Sequence, residues 1–207
     1  MANTEKVKEV ILAIAEMIEE KKLYLTQLDA AIGDGDHGLN MAKGFRAAKE
    51  KLESTALETP SDILKAVGMA LISKVGGAAG PLYGTAFLNA SKTVAGKTDL
   101  DKNDLKEMLE AALDGVKSRG KATVGEKTMV DAIEPALEAL KKAIAEGAST
   151  KEAMDQAVTA AEEGVAYTKT IIAKKGRASY LGERSIGHED PGAMSSYMIL
   201  KTIAEKL

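Results

Sequence analysis

Apolar side chains recur at intervals of three and four residues along most of this chain, with charged and polar residues between them. An α-helix turns once in about 3.6 residues, so this spacing places the apolar side chains on one helix face. No comparable stretch alternates with a period of two, as a half-buried β-strand would. The pattern predicts an all-α protein with about eight or nine helices. Two of its series are Val7, Val10, Ile11, Ile14 and Ile18, and then Leu64, Val67, Leu71 and Val75.

Helix starts and packing can also be predicted from residue types. The predicted starts are marked by Thr4 with Glu5, by Ser61 after Pro60, by Asp101 with Asp104, and by Ser149 with Glu152. Alanine-rich segments such as residues 142–167 predict helices that pack closely on small side chains, as in a bundle. No internal repeat of 20 to 50 residues is present. The prediction is one domain spanning residues 1–207, folded as an up-and-down bundle.

Four glycine-rich stretches interrupt the helical pattern: GDGDHG at 33–38, SKVGGAAGPLYGT at 73–85, KSRGKATVGEKT at 117–128 and KKGRASYLGERSIGHEDPG at 174–192. Successive connections of an up-and-down bundle alternate between its two ends. The connections that follow alternate helices therefore meet at one rim, and we expect these four to build a single site there.

Composition narrows the classes of function. The chain has 207 residues, 45% of them hydrophobic and 29% charged, and no apolar run approaches the roughly 18 residues of a membrane span. The first residues mix charge with apolar positions at helical spacing, unlike a secretory signal, so we expect a cytoplasmic location without a membrane. Cysteine is absent, which excludes disulfides and thiolate chemistry. A net charge of -3 with 3% aromatic residues argues against nucleic acid as a partner.

The stretch GDGDHG places Asp34 and Asp36 on a glycine-rich turn, with Asp29 just upstream. Glycine-rich turns commonly bind phosphate, and carboxylates repel phosphate unless a cation lies between them. Carboxylate oxygens suit Mg²⁺, so one or two such ions between the three aspartates and a diphosphate would turn repulsion into attraction. The helix predicted to start at His37 would add backbone N–H groups for the phosphates. The alternative is that Asp34 and Asp36 serve only as turn and N-cap residues.

Three familiar motifs fail on inspection. GDGDHG matches G-x-G-x-x-G, but no strand precedes it and its aspartates would face a bare pyrophosphate. GVKSRGKA at 115–122 nearly matches a P-loop, but Ala122 stands where a Ser or Thr would hold Mg²⁺. An EF-hand that starts at Asp34 would need Gly and Glu where Leu39 and Phe45 stand.

Several other residues leave two interpretations open. His37 and His188, the two histidines, would each suit a phosphoryl carrier or base, or a side chain that caps its loop. A basic cluster would suit a transferring phosphate, an acidic partner or a solvated helix end, and consists of Lys174, Lys175, Arg177 and Arg184. Met129 and Leu39 would flank a nucleotide base or belong to the core.

Taken together and in this order, the segments LDAAIGDGDHGLNM, SKVGGAAGPLYGT, SRGKATVGEKTM and KKGRASYLGERSIGHEDPGA resemble the nucleotide-binding L subunits of bacterial dihydroxyacetone kinases. The resemblance covers nearly the whole chain. It implies an eight-helix antiparallel barrel that binds ADP and two Mg²⁺ ions at one rim.

Site residues follow from the same resemblance, position by position. The implied metal ligands are Asp29, Asp34 and Asp36. The implied nucleotide contacts are His37, Gly38, Leu39, Asn40, Ala78, Ala79, Gly120, Met129, Arg177, Asp190, Pro191 and Gly192. One departure is visible, because related sequences often carry serine where Ala79 stands, and that hydroxyl contact to phosphate is missing here.

The resemblance also implies a mechanism of phosphoryl transfer. In the phosphotransferase-dependent branch, resident ADP is converted to ATP in place by a phosphohistidine on a separate M subunit. The phosphoryl group then passes to dihydroxyacetone held on a K subunit. Arg177 would stabilise charge on the transferring group, and no nucleophile from this chain is required. A homodimer and a transcriptional regulator are further partners that the resemblance leaves open.

Three alternative functions stay open from sequence. These are an ATP-dependent kinase that exchanges nucleotide freely, a kinase subunit for another short sugar, and a catalytically silent nucleotide-binding regulator. Fatty-acid kinases share the metal-binding arrangement, but they usually carry threonine where His37 stands.

Overall fold

A computed structural model of the chain describes residues 2–207, and most of them are helical, which confirms the all-α prediction. The eight α-helices of these residues are α1 Thr4–Ile32, α2 His37–Ser54, α3 Pro60–Lys74, α4 Ala79–Thr93, α5 Lys102–Gly120, α6 Val130–Ala145, α7 Thr150–Thr168 and α8 Pro191–Glu205. A 3-10 helix, Arg177–Ser185, lies between α7 and α8. The strands β1 Ala2–Asn3 and β2 Asp99–Leu100 pair antiparallel and form the one small sheet in the described part of the chain.

The helices form a closed ring. Each helix packs on the next one along the chain, and α8 packs on α1. The odd-numbered helices end, and the even-numbered helices begin, at one end of the ring, where the connections 33–36, 75–78, 121–129 and 169–190 lie. We call this end the loop rim. The opposite end, where α1, α3, α5 and α7 begin, is the far end.

The interior follows the apolar pattern of the sequence. Its large side chains, such as Ile14, Phe45, Leu71 and Met154, are fully buried. Helices α6 and α7 approach closely, because a Cβ on Gly164 would lie 2.0 Å from the carbonyl oxygen of Asp131. An apolar cavity of about 460 Å³ remains between the helices. No helix within residues 2–207 is long and apolar enough to span a bilayer.

Two predicted helix starts are confirmed in detail. Asp101 with Asp104, and Ser149 with Glu152, form capping boxes in which each partner bonds the other's backbone.

The other two predicted starts lie within one residue of the observed ones, but the residue that caps each helix lies just upstream. Asn3 caps α1 by accepting from the Lys6 N–H at 2.9 Å, so Thr4 is the first helical residue. Thr59 caps α3 together with Asp62, so Ser61 lies inside the helix. In both cases a neighbour with an equally suitable side chain reaches the free N–H groups.

Candidate functional site

The four glycine-rich connections line one cavity of about 560 Å³ at the loop rim. Its walls include the three predicted metal ligands, Asp29, Asp34 and Asp36, and ten of the predicted nucleotide contacts: His37, Asn40, Ala78, Ala79, Gly120, Met129, Arg177, Asp190, Pro191 and Gly192. Residues from distant parts of the sequence therefore meet in one place. The contacts themselves stay predictions.

The three aspartates form a compact acidic cluster. Each offers a carboxylate oxygen, and these oxygens lie within 4.8 Å of one another. Asp29 is buried near the end of α1, and its Oδ2 accepts from the N–H groups of Asp36 at 2.9 Å and His37 at 3.1 Å. A Cβ on Gly33 would lie 2.2 Å from Asp29 Oδ1, so only glycine leaves this carboxylate its place. Local backbone geometry thus holds one ligand of the cluster rigidly.

The other two aspartates do not serve as helix caps. Asp36 stands at the N-cap position of α2 but makes no side-chain cap hydrogen bond. Asp34 instead pairs with Arg177, with 2.9 Å between Nε and Oδ2. Each of the three convergent carboxylates keeps an oxygen that accepts no hydrogen bond among residues 2–207, and such carboxylates are the donor set that Mg²⁺ prefers. The residues present therefore fit a magnesium site.

Helix N-termini at the loop rim supply free N–H donors beside this cluster. In α2 the N–H groups of Gly38 and Leu39 find no acceptor among residues 2–207, and the same is true of Ala79 and Gly80 in α4. The first turn of a helix also carries a partial positive charge, so these groups are suited to bind an anion. Two helices thus begin at the loop rim with N–H groups that are free to bind an anion.

Gly38 and Leu39 lie outside the cavity lining. A Cβ on Gly38 would lie 1.9 Å from the Lys22 carbonyl oxygen, so this glycine allows α2 to pack against α1. The Leu39 side chain is about half exposed. The predicted nucleotide contacts of Gly38 and Leu39 would therefore have to come from their backbone N–H groups.

His37 is held inside a buried hydrogen-bond network. Its Nε2 lies 2.9 Å from Ser195 Oγ, and that hydroxyl lies 2.7 Å from the Tyr83 OH. The Tyr83 OH also donates to the Gly192 carbonyl at 3.1 Å, and burial raises its pKa to about 12. Burial lowers the pKa of His37 despite the nearby charges of Asp29 and Asp36. A fixed, neutral imidazole suits a nucleotide contact better than a mobile phosphoryl carrier.

The second histidine and the basic cluster divide between the cavity and the surface. His188 is exposed, and its backbone carbonyl rather than its ring accepts a hydrogen bond, from Lys127 Nζ. Lys175 and Arg177 line the cavity, and Lys175 lies 3.8 Å from Glu126. Lys174 and Arg184 do not line it.

The wall opposite the acidic cluster is apolar. It is built by Leu82, Val116, Gly120, Ala122 and Met129, and Met129 is buried. Such a surface suits the flat face of a nucleotide base.

Asp190, the N-cap residue of α8, belongs to the part of the cavity wall that adjoins Met129. Its carboxylate accepts from the Ala193 N–H at 2.8 Å. Burial raises the pKa of Asp190 to about 7, while the N–H of Ala193 and the charge of Lys127 act against that rise. This carboxyl therefore titrates near neutral pH.

Sequence analysis missed several residues of the cavity wall, chiefly Tyr83, Arg119 and Lys127. Lys127 is 1% exposed, although nothing in the local sequence separates it from the solvated lysines around it. Its unusual setting depends on backbone atoms 41 and 61 residues further along the chain.

Comparison with known proteins agrees with this site. The model of the DAK2 domain family matches residues 31–205. The chain is 47% identical to the ADP-binding subunit DhaL of PEP-dependent dihydroxyacetone kinase 1 from Listeria innocua, over 92% of this chain and 90% of that protein. It is also 47% identical to the ADP-binding subunit DhaL of the PEP-dependent dihydroxyacetone kinase of Escherichia coli, over 87% and 86%.

Solved structures show the same fold. A crystal structure of the dihydroxyacetone kinase from C. freundii in complex with AMP-PNP and Mg²⁺ superposes with a TM-score of 0.74 at 25% identity. The match covers 100% of this chain but only 34% of that longer one.

Proposed function

Because this chain belongs to the DAK2 domain family, we propose that it is the ADP-binding subunit of a phosphoenolpyruvate-dependent dihydroxyacetone kinase. The observation that carries the proposal is the acidic cluster of Asp29, Asp34 and Asp36 beside free N–H groups of two helix N-termini. Carboxylates and phosphates tolerate this proximity only with cations between them. The site is therefore built for a metal–diphosphate ligand.

Each part of the cavity has a role in this proposal. Asp29, Asp34 and Asp36 hold two Mg²⁺ ions, which neutralise phosphate charge when bound. The N–H groups of α2 and α4 bind phosphate oxygens. Met129 and its apolar neighbours pack on the base. The nucleotide stays resident and carries a phosphoryl group from a phosphohistidine on an M subunit to dihydroxyacetone on a K subunit.

Arg177 is the residue that we propose to act on the transferring group. Its side chain is exposed at the cavity mouth, and its Nε pairs with Asp34. The remaining guanidinium N–H groups have no acceptor among residues 2–207, which leaves them available to a phosphoryl group arriving from outside. Phosphoryl transfer depends mainly on positioning and on charge stabilisation, and Arg177 would supply the latter.

Partner subunits have to approach where the cavity opens. The loop rim exposes large apolar side chains, most of all Tyr180 at 87% exposure, together with Leu39, Val124, Ile172 and Ile186. Exposed apolar groups beside basic ones are typical of docking surfaces. We propose that the K and M subunits use this rim in turn.

Two measurements test the proposed function. Native mass spectrometry of protein purified without added nucleotide should find ADP and magnesium bound. Dihydroxyacetone phosphate should then form only when K and M subunits, phosphoenolpyruvate and the general carriers are all supplied. Turnover with free ATP and the K subunit alone would instead identify an ATP-dependent kinase. Nucleotide binding without turnover in either assay would identify a regulator.

A further inference from the structure

Lys127 is the most unusual side chain near the cavity. It is 1% exposed, lines the cavity and forms no ion pair within residues 2–207. Lysine is almost never fully buried without a carboxylate partner, because removing its charge from water is costly. Burial lowers the pKa of Lys127, whereas the nearby charges of Asp190 and Asp131 raise it. A buried, unpaired ammonium needs a specific reason.

Its ammonium group instead bonds three backbone carbonyls. Nζ donates to the carbonyl oxygens of Thr168 and His188, and to that of Ile171 at 3.4 Å. A lysine ammonium has three N–H donors, so all of them are used. Thr168 is the last residue of α7, where the helix dipole is negative and favours a cation.

These bonds connect two walls of the nucleotide cavity. The connection that holds Lys127 continues to Met129, and the segment that holds His188 continues to Asp190. Thr168 strengthens the link, because its Oγ1 accepts from the Asp190 N–H at 3.0 Å. We call this arrangement, made by Lys127, Thr168, Ile171 and His188, the lysine clamp.

The backbone around Lys127 supports a fixed geometry. Its φ is 60°, in the left-handed region that non-glycine residues rarely adopt. The loop holds this conformation through Asp131, whose carboxylate accepts from the N–H groups of Gly125 at 2.6 Å and Thr128 at 2.7 Å. Unfavourable backbone conformations that the surroundings enforce are concentrated at functional sites.

We propose that Lys127 is a positioning residue of the nucleotide site, which fixes the Met129 wall against the Asp190–Gly192 wall through the lysine clamp. The two walls do touch, since a Cβ on Gly192 would lie 3.5 Å from Met129 Cβ. Lys127 acts through the walls and makes no contact with the phosphates itself. The inference rests on the proposed nucleotide binding, because it assigns a role in that site.

The test compares Lys127→Met with Lys121→Met in the full-length chain. Methionine keeps an unbranched apolar side chain but removes the donors. Lys121 is the matched control, because it lies in the same connection, has a φ of 51° and is exposed. Binding of Mg·ADP is measured by calorimetry well below the melting temperature. Amide hydrogen exchange of residues 121–129 and 186–192 is measured without nucleotide.

The clamp predicts a specific pattern. Lys127→Met should bind Mg·ADP about tenfold more weakly or worse, because even a small displacement of a wall that positions the ligand lowers affinity. Its exchange should rise in the two wall segments and not in α1 to α4. Lys121→Met should match the wild type in both. A folded Lys127→Met protein with wild-type affinity and wild-type exchange in both walls would overturn the proposal, even if it melts earlier.

Thr168→Val decides the matter if Lys127→Met does not fold. This isosteric change removes the hydroxyl that accepts from the Asp190 N–H and donates to the Val165 carbonyl within α7. It should raise exchange in residues 186–192 and weaken Mg·ADP binding a few-fold. Unchanged exchange and affinity would overturn the clamp. A wild-type protein that does not bind Mg·ADP would refute the proposed function, and the nucleotide-free exchange data would still judge the clamp separately.

Discussion

The two ends of the helix ring use polar side chains in opposite ways. At the far end, α1, α3, α5 and α7 all begin with a side chain that accepts from the helix's own N–H groups. At the loop rim, the N-cap residues of α2, α4 and α6 make no such bond, and only α8 is capped, by Asp190. The far end satisfies its backbone internally, whereas the loop rim leaves donors and carboxylates free for a ligand.

Because of this difference, we expect the far end to contribute mainly to stability and the loop rim mainly to ligand binding. A side-chain cap contributes about 1 kcal/mol to stability, so the loop rim, where three of the four helices lack one, is the less stable end. α6 is a partial exception, because Thr128 and Asp131 bond the backbone before its first turn. Substitutions at the far end should therefore change unfolding, and substitutions at the loop rim should change ligand affinity.

The largest contrast between the ends should appear in the pH dependence of stability. The pKa of Asp190 at the loop rim is raised to about 7 from 3.8, so the folded state holds its proton more tightly than the unfolded state. The stabilisation that the protonated Asp190 gives the folded state is fully present below pH 3.8 and is lost as the pH rises through about 7. The upper bound of this contribution to the unfolding free energy is on the order of 4 kcal/mol. Denaturant unfolding of nucleotide-free protein measures this effect. The unfolding free energy of Asp190→Asn should fall less steeply with rising pH than that of the wild type.

The far-end carboxylates should behave in the opposite sense. Hydrogen bonds from the N–H groups of Asp104 and Asn103 lower the pKa of Asp101. Asp101→Asn should therefore cost stability at pH 7, and this cost should shrink as the pH falls below 3.8. Equal pH profiles for Asp101→Asn and Asp190→Asn would contradict the proposed difference between the ends.

The next largest effect concerns the metal ligands. Asp36→Asn should weaken Mg·ADP binding on the order of 100-fold, because it removes one charge from the acidic cluster. The stability of the nucleotide-free protein should hardly change, because Asp36 makes no cap bond. Ser149→Ala is the far-end control, and it should lower the unfolding free energy by about 1 kcal/mol without changing affinity. Calorimetry and urea titration of both variants measure the two quantities.

A smaller effect is expected from glycine substitutions. Gly33→Ala should reduce Mg·ADP affinity roughly tenfold, because the new Cβ would lie 2.2 Å from Asp29 Oδ1 and displace that carboxylate. Gly147→Ala at the far end meets open space but has a φ of 88°. It should cost roughly 1 kcal/mol of stability and leave affinity intact. Similar binding losses in both variants would show that affinity merely follows stability.

Much of the fold could be predicted because its causes are local. The apolar period determines the helices, and the alternation of connections brings the glycine-rich loops to one rim. The acidic cluster was predictable for the same reason, since Asp29, Asp34 and Asp36 lie close together in the sequence.

The rest depends on contacts between distant residues. Lys127 is buried because carbonyls of Thr168 and His188 surround its ammonium, and no local pattern encodes that. The cap of α1 was misplaced because Asn3 and Thr4 are equally good candidates until the chain is folded. The β1–β2 pair joins segments nearly 100 residues apart and is only two residues long, too short to leave a periodic signal.

The free N–H groups of Gly38, Leu39, Ala79 and Gly80 have a consequence for mutational scanning. Replacing a side chain leaves its main-chain amide in place, so an alanine scan across these positions would report steric damage at the glycines and little at Leu39. Ala79 is already alanine. If these amides bind phosphate as proposed, positions such as Leu39 can vary in sequence, while insertions and deletions that reorient the helix starts would be strongly selected against.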